Sequence, residues 1–249
     1  MTATARPAHR RRRAPGWVPN QHGAWAMLAS PLILGALAAG LAWIHLVLAA
    51  FWVGGYFAFF AASVWLKSGR KARYARPAEV YAVLAGALGL LTAALAPALL
   101  RWAPLFLVPF GVGLWAAAQR RERDLLAGVT TVVGSALMTV VAYDAGGGTD
   151  LHRAWWLAAG QFLYFAGTVF YVKSMIRQRD DPVFLRWSIA WHVLATLVTA
   201  VASPWLGLVF AVLAVRAWWI PRLHWTPKRI GLVEIPATLA VALVSLLTI

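Results

Sequence analysis

The sequence predicts an all-α, polytopic transmembrane helical bundle of nine spans, on three observations. Of its 249 residues 61% are apolar and 12% charged, whereas a soluble domain carries about 25% charged residues. Apolar stretches alternate with short links, and each is long enough for a bilayer crossing, which takes roughly 17 to 25 residues. The 23 Lys and Arg fall almost wholly in every second link.

A basic tail, residues 1–22, carries Arg6 and the run Arg10 to Arg13, and a single transmembrane helical domain fills 23–249. The expected spans are 23–42, 45–66, 78–100, 103–119, 125–143, 154–176, 183–203, 204–221 and 231–249. Lys67, Arg70, Lys71, Arg73 and Arg76 lie between the second and third, and Arg120, Arg121 and Arg123 between the fourth and fifth. Lys173, Arg177, Arg179 and Arg186 attend the sixth-to-seventh link, and Arg216, Arg222, Lys228 and Arg229 the eighth-to-ninth. Only Arg101 and Arg153 are left for the other side. By the positive-inside rule the N-terminus is cytoplasmic and the C-terminus outside, as expected of a bacterial inner-membrane protein. The break between spans seven and eight rests on Ser203 and Pro204, so a count of eight, with one kinked or re-entrant unit there, is the fallback.

Tryptophan gives an independent check, because indole favours the headgroup layer. Trp17, Trp65, Trp115, Trp187, Trp218 and Trp219 fall toward one set of helix ends and Trp43, Trp102, Trp155, Trp156 and Trp205 toward the other, with Trp52 in mid-span.

A net charge of +15 does not point to nucleic acid, because the cations are split among juxtamembrane clusters and no soluble domain organises them into a binding face. Anionic lipid head groups are the expected partner, at about 1 kcal/mol per basic residue near the surface. The Arg10 to Arg13 run reads as an orientation anchor. It also fits the n-region of a signal peptide, with Ala36, Ala38 and Ala39 near a cleavage site, but eight further spans favour a retained helix. There is no Cys, which excludes disulfides, thiolate chemistry, iron–sulfur clusters and Cys-bound zinc.

Function is therefore sought among polar groups in or beside the spans, where an ionisable residue costs at least about 2.5 kcal/mol unless it faces a cavity or partner. These are Asn20, Gln21 and His22 at span one, Lys173 and Arg177 ending span six, His192 in span seven, Arg216 in span eight and Glu234 opening span nine. His22, Glu234 and His192 are the candidate catalytic groups, and Asn20, Gln21, His22, Lys173, Arg177, Arg216 and Glu234 the candidate ligand-binding set. Lys173 and Arg177 are four apart and share a helix face, an arrangement suited to an anion or to snorkelling among head groups. Gln161, Tyr164, Thr168 and Tyr171 form a second polar stripe on the same span. Arg216 is the expected partner of Glu234 by topology. Asp181 before Pro182 reads as an N-cap, Asp124 likewise, and Glu79 as a first-turn acid. Asp144 to His152 reads as a solvated turn. A metal site from His22, His192 and Glu234 has no spacing signature, so none is expected.

The runs Pro19-Asn20-Gln21-His22-Gly23-Ala24-Trp25-Ala26-Met27, Tyr171-Val172-Lys173-Ser174-Met175-Ile176-Arg177 and Lys228-Arg229-Ile230-Gly231-Leu232-Val233-Glu234 resemble the YwiC-like family of bacterial membrane proteins. That resemblance implies a polytopic membrane protein and no particular reaction. Arg73, Arg76 and Pro77 give a weaker likeness to UbiA-type prenyltransferases, whose fold has nine helices around a polar cavity open to the cytoplasm. Those enzymes hold diphosphate through Mg²⁺ on Asp-rich motifs. Here Phe59 to Leu66 contains no carboxylate, and Lys173 and Arg177 stand where acids belong. No cofactor is expected, and Mg²⁺-dependent transfer least of all.

Three function classes follow: a transferase acting on an isoprenoid or lipid, a carrier of a small anion, and a non-catalytic subunit of a membrane complex. The expectation pursued below is an anionic amphiphile, isoprenoid or lipid, whose head group Lys173 and Arg177 hold while His22, Gln21 and Glu234 supply hydrogen bonds or proton exchange.

Overall fold

Among the described residues nine α-helices form close to where nine spans are expected. The computed structural model describes residues 16–19, 23–223 and 225–249. Among them are α1 (Ala24–Ala39), α2 (Ile44–Lys67), α3 (Ala75–Leu95), α4 (Ala103–Ala118) and α5 (Leu125–Ala145). The chain continues through α6 (Leu151–Ile176), α7 (Pro182–Ala202), α8 (Pro204–Trp219) and α9 (Pro227–Thr248). Seven of these, some extended by a 3₁₀ turn, are long and apolar enough to cross a membrane. The two others are α1, with 16 residues, and α6, which is long at 26 residues but carries the polar stripe.

Placement resolves the polarity of α6. It packs against α1, α5, α7 and α9, and half of its residues are buried, so its hydroxyls and amide face protein rather than lipid. α5 is likewise interior, while α3 is peripheral and packs chiefly on α2.

Helix ends follow local chemistry. The Asp181 carboxylate accepts from the amides of Val183 and Phe184 at 2.9 and 3.0 Å, and Asp150 accepts from that of Arg153 at 3.0 Å. Ser203 is extended (φ −157°) and accepts from the Leu206 amide. It ends α7 and caps α8, and the two helices pack extensively on each other. They are separate antiparallel helices, which removes the reason for a count of eight. Asp124 departs from expectation: it makes no cap bond and pairs instead with Arg121 Nε at 2.6 Å. Glu79 lies beyond the first turn, because α3 already begins at Ala75. The expected third span, 78–100, stops at Leu95; Pro97, which has no N–H, opens a 3₁₀ turn, Pro97–Trp102.

Pro31 inside α1 frees the carbonyl of Met27 four residues back, and Ser135 of α5 donates its hydroxyl to that oxygen at 2.5 Å. One residue on, Trp52 Nε1 donates to the Leu28 carbonyl at 2.9 Å, which accounts for a tryptophan in mid-span. Gly35 completes the α1–α5 contact. A Cβ there would stand 2.2 Å from the Thr139 carbonyl oxygen.

The two ends of the bundle differ in charge. At the basic end Lys67 pairs with Glu122 at 2.6 Å and Arg120 Nε donates to the Lys67 carbonyl, tying two arginine-rich links together. At the opposite end Asp144 accepts from Arg101 at 2.5 Å and from Trp102 Nε1 at 2.8 Å. Asp144 therefore belongs to a clasp between the α3–α4 link and α5, not to a solvated turn.

Candidate functional site

The end of α6 and the starts of α5 and α7 enclose a cleft of about 430 Å³ at the basic end. Lys173 and Arg177 line it from α6, and Arg121, Arg123 and Asp124 from the link before α5, with Leu125, Leu126 and Phe184 as apolar walls. The cleft thus gathers four cations and one carboxylate, and that carboxylate already holds Arg121. The volume lies in the range of small-molecule pockets, roughly 300 to 1,000 Å³. Sequence reasoning placed Lys173 and Arg177 here. It missed Arg121 and Arg123, which it read only as topology charges, because nothing local signals that the α4–α5 and α6–α7 links converge.

Arg216 and Glu234 do not line this cleft. They pair inside the bundle, Arg216 Nη1 to Glu234 Oε1 at 2.5 Å, with side chains 7% and 15% exposed. The other carboxylate oxygen, Oε2, accepts from the hydroxyls of Tyr164 and Thr168, each at 3.0 Å. Tyr164 also bonds Thr238 at 2.9 Å, and the Arg216 guanidinium lies 4.2 Å over the Tyr171 ring. The polar stripe of α6 is thus the surface that receives Glu234. Topology alone pointed to the pair; its hydroxyl ligands lay in the noted stripe, but that stripe carried no hint of its partner.

Gln161, fully buried, accepts from Ser30 of α1 at 2.9 Å. His192 is buried, and its Nδ1 bonds the Ser188 carbonyl of its own helix at 2.7 Å. Asn20, Gln21 and His22 lie outside the described residues. Among the described residues no three His, Asp or Glu side chains group to hold a metal ion.

The expected single site therefore divides. Lys173 and Arg177 belong to an open cationic cleft, while Arg216 and Glu234 belong to an enclosed network. The first can take an anionic group from solvent or from the headgroup layer. In the second each carboxylate oxygen has a partner, while two of the three guanidinium nitrogens have none.

Comparison with known proteins places the chain. The model of the YwiC-like protein family matches residues 18–143. The chain is 31% identical over 220 residues to the uncharacterised protein YwiC of Bacillus subtilis, covering 88% of this chain and 92% of that protein. It is 29% identical over 228 residues to an uncharacterised protein of Haemophilus influenzae, covering 89% and 93%. No solved structure matches, and none of these comparisons shows a relation to UbiA-type prenyltransferases. Matched by the family model and by relatives along nearly their whole length, this helical membrane protein belongs to the YwiC-like family.

Proposed function

We propose that this protein sits in the bacterial cytoplasmic membrane with its basic end in the cytoplasm, and that its cleft holds the head group of an anionic amphiphile, an isoprenoid or a lipid. The observation that carries the reading is the convergence of Arg121, Arg123, Lys173 and Arg177 on one cleft with a single carboxylate. Isolated interfacial cations attract acidic lipid at about 1 kcal/mol each without selecting any one species. Four on one concave surface favour a head group that reaches several of them at once, and hydrogen bonds between charged partners contribute about 1.5–3 kcal/mol each. The apolar walls suit the first carbons of a tail, since Leu126 is exposed beside the cleft.

Orientation rests on the cation distribution. Four arginine-rich links fall at one end, while Arg101 and Arg153 mark the other, and the sequence carries five more arginines ahead of α1. In this orientation the C-terminus is outside.

The test is mass spectrometry of lipids that stay with the protein in mild detergent, comparing the wild type with the double variant Lys173→Ala, Arg177→Ala. Loss of one acidic lipid or isoprenoid species from the variant is the expected result. An identical lipid profile in both overturns the reading.

A further inference from the structure

We propose a second binding site, separate from the cleft and inside the bundle, in which Arg216 and Tyr171 hold a carboxylate or phosphate group. Arg216 offers Glu234 only its Nη1 corner. Its Nε and Nη2 atoms are buried and have no hydrogen-bond partner. In a guanidinium group Nε–H and one Nη2–H point the same way, forming the two-pronged edge that matches the oxygens of a carboxylate or phosphate. That whole edge is unused on a residue 8% exposed, where native structures pair almost every buried donor.

The surroundings include hydroxyls that can donate as well as accept. The Tyr171 ring lies beneath the guanidinium at 4.2 Å, and its hydroxyl is fully buried without a partner. Ser188 of α7, also fully buried, has a hydroxyl without a partner. It lies one turn from His192, whose ring abuts Gly167, itself one turn from Tyr171 along α6. Glu234 meets Arg216 at Nη1 and turns its other oxygen to Tyr164 and Thr168, away from this edge's donors. The unused edge of Arg216 thus fits an oxygen acceptor with two prongs. Arg216, Tyr171 and Ser188 stand three, five and six residues from their helix ends at the basic end, or about 5 to 9 Å deep at 1.5 Å per residue. The site therefore lies within about two helical turns of the basic end, the side from which a soluble anion or the head group of an amphiphile would enter.

The test uses the full chain in phosphatidylcholine nanodiscs and follows its thermal melt while acetate, inorganic phosphate, dodecanoate or dodecyl phosphate is titrated at constant ionic strength. At least one probe is expected to raise the melting temperature saturably. Acetate or phosphate doing so assigns a soluble anion; a response to the dodecyl compounds alone assigns a head group. Arg216→Lys keeps a charge for Glu234 but loses the fork, and is expected to weaken the probe about tenfold or more. Tyr171→Phe is expected to weaken it severalfold without lowering the melt of the unliganded protein. Lys173→Ala with Arg177→Ala is expected to leave this binding intact, which separates it from the cleft. The proposal is overturned if no probe gives a saturable shift, if Arg216→Lys binds as the wild type does, or if only the cleft variant abolishes the response. Should Arg216→Lys not fold, unchanged affinity in Tyr171→Phe overturns it.

Discussion

Replacing Glu234 by alanine leaves Arg216 charged in a site where its side chain is 7% exposed. Breaking such a pair from one side costs about 3–5 kcal/mol, because the surviving charge keeps its desolvation penalty and loses its counter-ion. The hydroxyl ligands change this little. Both Tyr164 and Thr168 lose a bond to the carboxylate, but Tyr164 keeps Thr238 and the backbone oxygen of residue 234, so Thr168 is the one that loses its partner. Removing both charges, Arg216→Met with Glu234→Leu, should cost less than about 1 kcal/mol or even stabilise, since neither charge then remains buried. The assay is a double-mutant cycle of Arg216→Met and Glu234→Leu on reversible unfolding in mixed micelles, with Glu234→Ala measured beside it. The two single variants should each lose several kcal/mol and the double variant should recover most of it. A loss below about 1 kcal/mol in Glu234→Ala, or a double variant that equals the sum of the singles, refutes the view of Arg216 as a charge dependent on Glu234.

Gly35→Ala should destabilise by at least about 1–3 kcal/mol, because the new methyl group meets backbone, the Thr139 carbonyl oxygen at 2.2 Å, and not a side chain that can turn away; a thermal melt in detergent checks it. Ser135→Ala should cost about 1–3 kcal/mol by the same measurement, as it leaves the Met27 carbonyl without its donor. The sequence has no Cys, so Asp180→Cys and Thr149→Cys each add one exposed thiol at opposite ends of the bundle. In intact cells an impermeant maleimide should label the variant at position 149 and spare the one at 180; the reverse pattern inverts the proposed orientation.

Helix positions were legible because their signals are local. Asp181-Pro182 and Ser203-Pro204 mark helix starts by chemistry that works within one turn, and charge alternation orders the ends. Helix neighbours were not legible. α3 and α5 are both strongly apolar, yet α5 is buried over more than half of its central stretch and α3 over very little. In lipid the outward face is as apolar as the inward one, so sidedness leaves no pattern to read. The exception is α6, whose stripe Gln161, Tyr164, Thr168, Tyr171 has a face that only protein satisfies. Convergence of Arg121 and Arg123 on Lys173 and Arg177 depends on how α5, α6 and α7 pack, which no short segment encodes.

The α1–α5 contact bears on how the chain is made. Helix α1 leaves the ribosome first, yet packs most extensively on α5 and only slightly on its neighbour α2. Until α5 is synthesised, the Met27 carbonyl freed by Pro31 has no Ser135 to meet it, and an unmet carbonyl in hydrocarbon costs several kcal/mol. With 16 residues, or about 24 Å at 1.5 Å per residue, α1 also falls short of the roughly 30 Å hydrocarbon core. The opening helix thus completes its packing only once the fifth helix is present, so at this seam a long-range contact, and not the neighbouring helix, finishes the structure.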